Sequence, residues 1–510
     1  MSLDLRRAPL LVVGAGIMGA GIAQVAAQAG HDVKLFDMRP GAAADALDKL
    51  QIVLDGLVAR GKLSAIEGEA TLKRITPIAA LDDARGVTLV VEAIVEKLEA
   101  KRSLFQQLEA LLEDDAVFAT NTSSISVTAI ANGLRHPGRL VGMHFFNPVP
   151  LMKLVEVVSG LQTDSSVAAA IFELGKAWGK VPVHAKSTPG FIVNRIARPY
   201  YAETLSLLLE QAAAPQVLDA CLKAAGFRMG PCELMDLIGH DTNFAVTNSV
   251  YEANFFDKRF VPSLLQAEMV AGGLLGRKSG RGFYAYPQGA PALPEVVHEV
   301  PAAAHDVTVH GDGPLADRLA DAAAQLATQG RGPVRNREST WTGLCIDGAC
   351  LMLTDGRTAR QTASDMGVAN VTVFDWPAAL PIPAGAALAY AVAPDATEAW
   401  HTQSVAWLTA LGFSPLQLAD APGLVVARTL AMLINEGADA VLQGVCSTDA
   451  ADAAMRLGVN YPAGPFEWLT RWGAPAVIAV LEALDGTYRG ERYRVSPWLR
   501  AVRPVAGAQT

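Results

Sequence analysis

The chain has 510 residues, of which 51% are hydrophobic and 18% are charged, and its formal net charge at pH 7 is −9. This is the composition of a globular protein with enough apolar side chains for several cores, and the length predicts more than one domain. The mild negative charge and the lack of a Lys/Arg-rich run argue against a nucleic-acid partner, and no segment is apolar over a length that could cross a bilayer.

The first apolar run, Leu10–Val13, is too short for a secretory signal, so we expect a cytoplasmic protein without a membrane partner. The five cysteines include no CxxC pair and no tight Cys/His cluster. We therefore expect isolated reduced thiols, with neither a disulfide framework nor a metal site.

A glycine-rich turn follows this first strand. The motif Gly14-Ala15-Gly16-Ile17-Met18-Gly19 leads into a helical stretch from Ala20 to Ala29. In such a turn the first glycine permits the bend, the second leaves room for a pyrophosphate, and the third lets helix and strand pack closely. The unpaired N–H groups of the helix N-terminus then face the phosphates. We assign to a dinucleotide site the turn residues Gly14, Gly16, Met18 and Gly19.

The second strand-like run, Val33–Phe36, ends at an acidic residue, Asp37. At this distance from the turn a carboxylate can accept hydrogen bonds from the adenosine ribose hydroxyls, and its charge repels a 2′-phosphate. The sequence therefore favours NAD over NADP. Arg39 follows closely and can accommodate a 2′-phosphate, which keeps the second cofactor an open alternative.

Three further strand-like runs are each followed by polar side chains. The runs are Val87–Val91, Val117–Thr120 and Leu140–Met143. The polar residues beyond them are Glu96, Asn121, Ser123 and His144. Because parallel sheets bind ligands at the carboxyl ends of their strands, we expect these side chains at one functional edge.

Longer motifs between residues 8 and 286 are more specific than the glycine turn. In chain order they are Gly14–Ala23, Val91–Glu96, Asn121–Ser124, His144–Pro150, Lys153–Val158, Thr188–Arg195 and Gly276–Tyr284. In these motifs the chain resembles the 3-hydroxyacyl-coenzyme A dehydrogenase family, above all its bacterial 3-hydroxybutyryl and 3-hydroxyadipyl types with an extended C-terminus. The resemblance implies the NAD-dependent oxidation of an (S)-3-hydroxyacyl-CoA thioester to the 3-oxoacyl-CoA.

The resemblance also implies roles for individual side chains. His144 would be the general base that takes the proton from the 3-hydroxyl group, and Glu156 would hydrogen-bond its other ring nitrogen. Ser123 and Asn194 would contact the substrate oxygens. The residues placed around the cofactor and the same pocket are Glu96, Lys101, Asn121 and Asn147.

Three of these side chains also have a purely structural interpretation. Ser123 can cap a helix that begins near Ser126, and Glu156 can be a solvated residue on an alternating strand. Lys101 can be a solvated charge on a helix.

The second half of the chain repeats part of the first. Ala421–Arg428 echoes Thr188–Arg195, and Gly464–Trp468 echoes Gly230–Leu234, at a nearly constant offset. A repeat this long indicates a duplicated domain rather than a solenoid. In the second copy Ala427 occupies the place of Asn194.

Val307–Leu315, between the copies, resembles a degenerate nucleotide-binding strand and turn. Asp312 adds a carboxylate, Pro314 removes an N–H, and Leu315 replaces the third glycine. We therefore expect the second half to bind no cofactor. The two helical copies are expected to pair within one chain, and a homo-oligomer is left open.

The sequence thus predicts four regions in order. These are an α/β Rossmann-type NAD-binding domain over 1–188, an all-α domain over 189–286, a linker with a degenerate Rossmann-like domain over 287–415, and a second all-α copy over 416–510.

Two functional alternatives stay open from the sequence. One is an NAD-dependent dehydrogenase of a small 3-hydroxy acid without coenzyme A, and the other is a non-catalytic, crystallin-like NAD-binding protein. The acyl chain length is undetermined. A dicarboxylic substrate would require a cation at the far end of its pocket, for which Arg198, Lys223 and Arg228 are candidates.

Overall fold

The computed structural model describes residues 3–293, 306–326, 332–377 and 383–502. Part of the predicted linker, Pro287–Pro301, lies outside these residues. The chain forms two compact units: Met1–Arg195 with Gln443–Val459, and Ile196–Leu442 with Asn460–Thr510.

The first unit is built on an eight-stranded sheet covered by helices. Its strands are β1 (Leu10–Val13), β2 (Val33–Phe36), β3 (Ile75–Pro77), β4 (Leu89–Glu92), β5 (Val117–Thr120), β6 (Leu140–Phe145), β7 (Leu154–Ser159) and β8 (Val181–Lys186). Its helices are α1 (Ile17–Gln28), α2 (Ala42–Ala59), α3 (Ala65–Lys73), α4 (Leu98–Leu111), α5 (Val127–Ala131), α6 (Ser165–Ala177), the start of α7 (Val193–Ile196) and, from far along the chain, α17 (Thr448–Gly458).

The strand order of this sheet is β3-β2-β1-β4-β5-β6-β7-β8. The strands from β3 to β6 run parallel, β7 is antiparallel to β6, and β8 is parallel to β7. Every residue of β1, β4 and β5 is buried, as expected for parallel strands that are covered on both faces. The one antiparallel pairing places residues of β6 directly opposite residues of β7.

Three element boundaries differ from those predicted by the sequence. Helix α1 begins at Ile17 rather than Ala20, because the glycine turn itself supplies the first helical turn. Strand β6 extends through Phe145, so His144 lies inside the strand rather than after it. Within the region predicted to be all-α, the amphipathic stretch from Ile192 to Gln211 is divided into two helices, because Pro199 in the first turn of the second helix provides no N–H for a continuous ladder.

The second unit contains a seven-stranded sheet among its described residues. Its strands are β9 (Val307–His310), β10 (Val334–Asn336), β11 (Gly343–Ile346), β12 (Ala349–Leu353), β13 (Val371–Phe374), β14 (Ala386–Val392) and β15 (Phe413–Gln417). Its helices are α8 (Arg198–Leu209), α9 (Pro215–Ala224), α10 (Pro231–Ile238), α11 (His240–Ala253), α12 (Leu264–Ala271), α13 (Pro314–Leu326), α14 (Ala359–Met366), α15 (Glu398–Ala410), α16 (Val426–Leu442), α18 (Pro465–Trp472), α19 (Ala474–Tyr488) and α20 (Pro497–Ala501).

The second sheet has the order β10-β9-β11-β12-β13-β14-β15 and is mixed rather than parallel. Strand β9 pairs in parallel with β10 and in antiparallel with β11. A tight β11–β12 hairpin stands where a Rossmann fold would use a helical crossover. This sheet is therefore a reduced relative of the first, as the degenerate sequence predicted.

The same hairpin brings two cysteines together. Cys345 and Cys350 are directly opposite each other, and their Sγ atoms are 2.9 Å apart. The prediction of isolated thiols is wrong for this pair, because a five-residue spacing closes into a cross-strand contact only when the hairpin forms. The described cysteines are all free thiols.

The helical duplication extends beyond the two sequence motifs that revealed it. Helices α16 to α20 follow the order of α8 to α12. The two loops that lead into the copies share a left-handed backbone, with φ of 76° and 47° at Gly190 and Phe191, and 71° and 50° at Gly423 and Leu424. Within the second unit α16 packs against α8, so helices of the two copies pair inside one chain.

In the described part of the chain, no helix combines the length and apolar character needed to span a membrane. The same residues contain no group of three or more His, Cys, Asp or Glu side chains that could hold a metal ion.

Candidate active site

The glycine turn after β1 has the geometry that its sequence predicts. Gly14 has a φ of 104°, and a Cβ there would lie 2.4 Å from the Ala93 carbonyl oxygen. A Cβ on Gly19 would lie 1.7 Å from the Gly14 carbonyl oxygen, so helix and turn pack with no room for a side chain. Gly16 has open space instead, with nothing within 4 Å of an added Cβ. Met18 is half-buried against the core.

This turn fits a bound pyrophosphate. No side chain caps the first turn of α1, so its N–H groups are directed at the open space beside Gly16. A cavity of about 660 Å³ adjoins the turn and is lined by residues that include Gly14, Asp37 and Ala93. A dinucleotide can therefore lie across the ends of β1, β2 and β4.

Asp37 connects this cavity to the turn. Its Oδ2 accepts a hydrogen bond from the Ala15 N–H at 2.9 Å, and the Arg39 guanidinium contacts its Oδ1 at 3.0 Å. The hydrogen bonds from Arg39 lower the pKa of Asp37 to about 2, against the opposing effect of burial. The carboxylate is thus charged at the end of β2, where a ribose hydroxyl would donate to it.

A buried ion pair at the end of β4 was not foreseen from the sequence. Lys101 is 1% exposed, and its Nζ lies 2.6 Å from Oε1 of the fully buried Glu92 and 3.2 Å from Oε2 of Glu96. The solvated-charge interpretation of Lys101 is therefore wrong. The sequence feature that could have predicted this ion pair is Glu92, the acidic last residue of an otherwise apolar strand.

Glu96 organises the loop after β5. Its Oε1 accepts hydrogen bonds from the Thr122 hydroxyl at 2.6 Å and from the N–H groups of Ser123 and Ser124 at 2.9 and 3.1 Å. Burial raises the pKa of Glu96, but the charge of Lys101 and these hydrogen bonds outweigh it, so the pKa is lowered.

Ser123 and Asn121 are placed by this loop. The N-cap of α5 is Ser126, whose hydroxyl accepts from Ala129 N–H, so Ser123 does not cap that helix. The Asn121 Oδ1 accepts the Phe145 N–H at 2.8 Å and so connects the end of β5 to the strand that carries His144.

His144 and Glu156 form a buried pair across β6 and β7. They are direct partners in the antiparallel register, and His144 Nδ1 lies 2.6 Å from Glu156 Oε2. Both side chains are at most 7% exposed. The rings of Phe146 and Phe191 flank the imidazole, with centroids 4.5 and 5.9 Å away. Glu156 is therefore an orienting partner of the histidine and not a solvated strand residue.

The second oxygen of Glu156 holds the start of α7. Its Oε1 accepts the N–H groups of Ile192 and Val193, each at 3.0 Å. Asn194 is the next residue, so the carboxylate that orients the imidazole also fixes the backbone beside Asn194. The sequence did not indicate this second function.

A further cavity of about 520 Å³ lies along α1 and α2. Asn147 is exposed and lines it, together with Gly16, Arg39 and Lys49.

These features define a class of protein. Four features together characterise a dinucleotide-dependent oxidoreductase: a mainly parallel sheet, a glycine turn that fits a phosphate, an acid at the end of the second strand, and a buried His–Glu pair.

Comparison with known proteins gives the family. Residues 10–188 match the model of the 3-hydroxyacyl-CoA dehydrogenase NAD binding domain, and residues 190–286 and 423–505 match its C-terminal domain. Residues 351–422 match the 3-hydroxybutyryl-CoA dehydrogenase reduced Rossmann-fold domain. The chain belongs to the 3-hydroxyacyl-CoA dehydrogenase family and is an NAD-dependent oxidoreductase.

The relatives cover different lengths of the chain. It is 44% identical over 490 residues to the 3-hydroxyadipyl-CoA dehydrogenase of Escherichia coli (strain K12), with 96% of each chain covered. A crystal structure of 3-hydroxybutyryl-CoA dehydrogenase from E. coli K12 has a TM-score of 0.86 at 42% identity, covering 97% of this chain and 98% of that one. The 3-hydroxybutyryl-CoA dehydrogenase of Clostridioides difficile is 40% identical and covers 54% of this chain and 99% of its own.

Proposed function

We propose that His144 and Glu156 perform the oxidation of an (S)-3-hydroxyacyl-CoA thioester to the 3-oxoacyl-CoA. The observation that carries this proposal is the 2.6 Å contact between His144 Nδ1 and Glu156 Oε2 in the sheet that also holds the glycine turn. With Nδ1 engaged by the carboxylate, Nε2 is the nitrogen that accepts the proton of the 3-hydroxyl group.

Proton and hydride leave the substrate separately. The O–H proton moves to Nε2 of His144, and the C3–O bond becomes a carbonyl as the C3–H bond breaks. NAD, when bound, supplies the acceptor for that hydride. Glu156 stabilises the imidazolium as it forms, because the carboxylate is buried within hydrogen-bond distance.

The remaining site residues are assigned around this step. We propose that Ser123 and Asn194 hydrogen-bond the substrate oxygens, since Glu96 accepts the Ser123 N–H and Glu156 accepts the N–H of Val193, the residue before Asn194. The proposed cofactor contacts are Gly14, Gly16, Met18, Gly19, Asp37, Glu96, Lys101, Asn121 and Asn147.

The acyl group is proposed to be short, either four carbons or a six-carbon dicarboxylate, in line with the substrates named for the two relatives that match the whole chain. Of the three cationic candidates for a terminal carboxylate, Arg198 is the only one that is buried. It lines a cavity of about 270 Å³ together with Arg259 and Arg492. Lys223 is exposed and paired with Glu233.

Steady-state rates with two substrates test whether Arg198 recognises the terminal carboxylate. Arg198→Met is expected to lower kcat/KM for 3-hydroxyadipyl-CoA much more than for 3-hydroxybutyryl-CoA, whereas Lys223→Met should change neither. Equal losses for both substrates in Arg198→Met would contradict a role in recognising the second carboxylate.

We further propose a cytoplasmic protein without nucleic-acid or membrane partners. We also propose that the domains divide at residues 188, 286 and 415. The second half is proposed to bind no cofactor. The two helical copies are proposed to replace the subunit pairing of shorter chains, which the packing of α16 against α8 supports. A homo-oligomer built on other surfaces remains compatible with this arrangement.

The central experiment is His144→Gln. We expect kcat to fall by about 10²–10⁴-fold, the usual contribution of a general base, with the Kd for NAD nearly unchanged. His184→Gln is the matched control, because His184 lies exposed on β8 and stacks on Phe172. Turnover near that of the unmodified enzyme in His144→Gln would refute the proposal.

A further inference from the structure

Helix α17 belongs to the second helical copy by sequence but packs in the first unit. Its buried face consists mostly of small residues: Ala451, Ala454, Met455 and Gly458. This face lies against β7 and β8, the two strands that follow the His144 strand β6 in the order of the sheet. A face of such small residues allows close approach of the helix to the sheet.

Two hydrogen bonds secure the segment before the helix. The Lys186 N–H at the end of β8 donates to the Val445 carbonyl oxygen at 2.9 Å. Arg195 Nη1, one residue after Asn194, donates to Gln443 Oε1 at 2.8 Å. The segment Gln443–Val459 is thus attached at both the sheet edge and α7.

Gly458 packs against three side chains that lie next to His144 and Glu156, in the chain or by contact. A Cβ on Gly458 would lie 2.7 Å from Leu154 Cδ2, 3.0 Å from Val193 Cγ2 and 3.6 Å from Phe146 Cε1. Leu154 precedes Glu156 by two residues on β7, and the Val193 N–H donates to Glu156. The Phe146 ring is 4.5 Å from the His144 ring.

In the second unit, a helix of the first copy packs on the second sheet in the equivalent way. There α9, the counterpart of α17, packs against β14, and the Ala419 N–H donates to the Ala212 carbonyl oxygen. These two residues correspond by the repeat to Lys186 and Val445. The residue that corresponds to Gly458 is the buried Ala225, so the sheet without a His–Glu pair faces a side chain where the catalytic sheet faces a glycine.

We propose that the segment Gln443–Val459 is a positioning element for the reaction and that Gly458 is its positioning residue. It fixes the three side chains that surround His144 and Glu156, so the second helical copy contributes to catalysis without touching substrate or cofactor. This inference rests on the proposed roles of His144 and Glu156.

The test is a graded series at Gly458 in the full chain. Gly458→Val should lower kcat by about 10–100-fold, because displacements of about 1 Å at reacting groups have effects of this size. The pH profile of kcat should shift, since the environment of the His–Glu pair changes, and the Kd for NAD should stay constant. Gly458→Ala should give a smaller effect.

Two controls separate positioning from misfolding. Gly486→Val places the same side chain on α19, where an added Cβ meets nothing within 4 Å, and it should keep full activity. Leu154→Ala combined with Gly458→Val removes the closest clash and should recover part of kcat. Unchanged kcat and pH profile in Gly458→Val, or no recovery in the double variant, would overturn the inference. An active His144→Gln variant would instead overturn the proposed function.

Discussion

At the scale of single residues, Glu156 performs two tasks with its two oxygens. One orients His144, and the other accepts the N–H groups of Ile192 and Val193. Each task requires an atom that accepts hydrogen bonds. Both oxygens of an ionised carboxylate accept, whereas an amide has one accepting oxygen and one donating NH₂ group.

Glu156→Gln should therefore affect both activity and stability. The amide NH₂ must face either the imidazole N–H or two backbone N–H groups, so one set of donors loses its acceptor. We expect kcat to fall by about 10²–10⁴-fold and stability to fall by about 1–3 kcal/mol. Steady-state kinetics and thermal unfolding measure these effects. Glu173→Gln, on the exposed face of α6, should alter neither.

The charge on Asp37 should decide the cofactor. Asp37→Ala should weaken NAD binding and reduce the preference for NAD over NADP, because the ribose acceptor is lost while Arg39 becomes available to a 2′-phosphate. Fluorescence titrations with both nucleotides give the two Kd values. Asp48→Ala, exposed on α2, is the control. An unchanged ratio of the two Kd values would count against the ribose role of Asp37.

The contact between Cys345 and Cys350 should make one thiol reactive. The hydrogen bond with Cys350 lowers the pKa of the half-buried Cys345, whereas burial raises the pKa of Cys446 to about 12 and shifts Cys221 and Cys232 upward as well. Because the thiolate is the nucleophile, iodoacetamide should modify Cys345 first, as peptide mapping would detect. Cys350→Ala should slow that reaction, and an equal rate in the variant would contradict the assignment.

At the scale of elements, the second copy repeats the anchoring of a helix by a buried acid. Asp375 follows β13, and its carboxylate accepts the N–H groups of Val425, Val426 and Ala427 at the start of α16. Val425 and Val426 correspond to Ile192 and Val193, which bond Glu156. A buried acid thus anchors the duplicated loop in both copies, but from different places in the sheet: Glu156 lies within β7, whereas Asp375 follows β13.

Asp375 should make the stability of the second unit depend on pH. Burial raises its pKa to about 6 despite the four backbone hydrogen bonds that oppose the shift. An acid whose folded pKa exceeds its unfolded value favours folding in its protonated form. This contribution is therefore complete below about pH 4 and is lost as the pH rises through 6.

The expected size is about 3 kcal/mol for a shift of this magnitude. Unfolding of the unmodified protein and of Asp375→Asn between pH 4 and 7 would measure it. The variant should be less stable overall, because an amide satisfies fewer N–H groups, but the difference between the two proteins should shrink as the pH rises. A difference independent of pH would refute the assigned pKa.

At the scale of the whole molecule, one chain contains two related sheets and two helical copies, with different potential for catalysis. The turn after β9, which corresponds in sequence to the glycine turn after β1, carries Asp312. The Oδ1 of Asp312 lies 3.5 Å from Arg335 Nη2 and 3.4 Å from Arg337 Nη1, and its charge would repel a phosphate. We therefore expect calorimetric titration to find one NAD site per chain. Two equivalent sites would contradict this expectation.

Much of the site followed from local sequence. The spacing of Gly14, Gly16 and Gly19 predicts the turn because each glycine answers a local steric demand, and the structure places a tight contact or open space at each. The family motifs named His144 and Glu156, and the repeated motifs revealed the duplication. The boundaries of α1 and β6 were less accurate because neighbouring elements decide where a helix or strand ends.

Sequence by itself thus determined the class of the fold, the family and the residues offered for catalysis. Only the tertiary structure decided that Lys101 is buried between two acids, that Glu156 anchors α7, and that α17 packs against β7 and β8 of the first sheet. The reason is physical. Turns and strands are specified by neighbours along the chain. The partners of a buried charge and the surface against which a helix packs depend on residues far away in sequence.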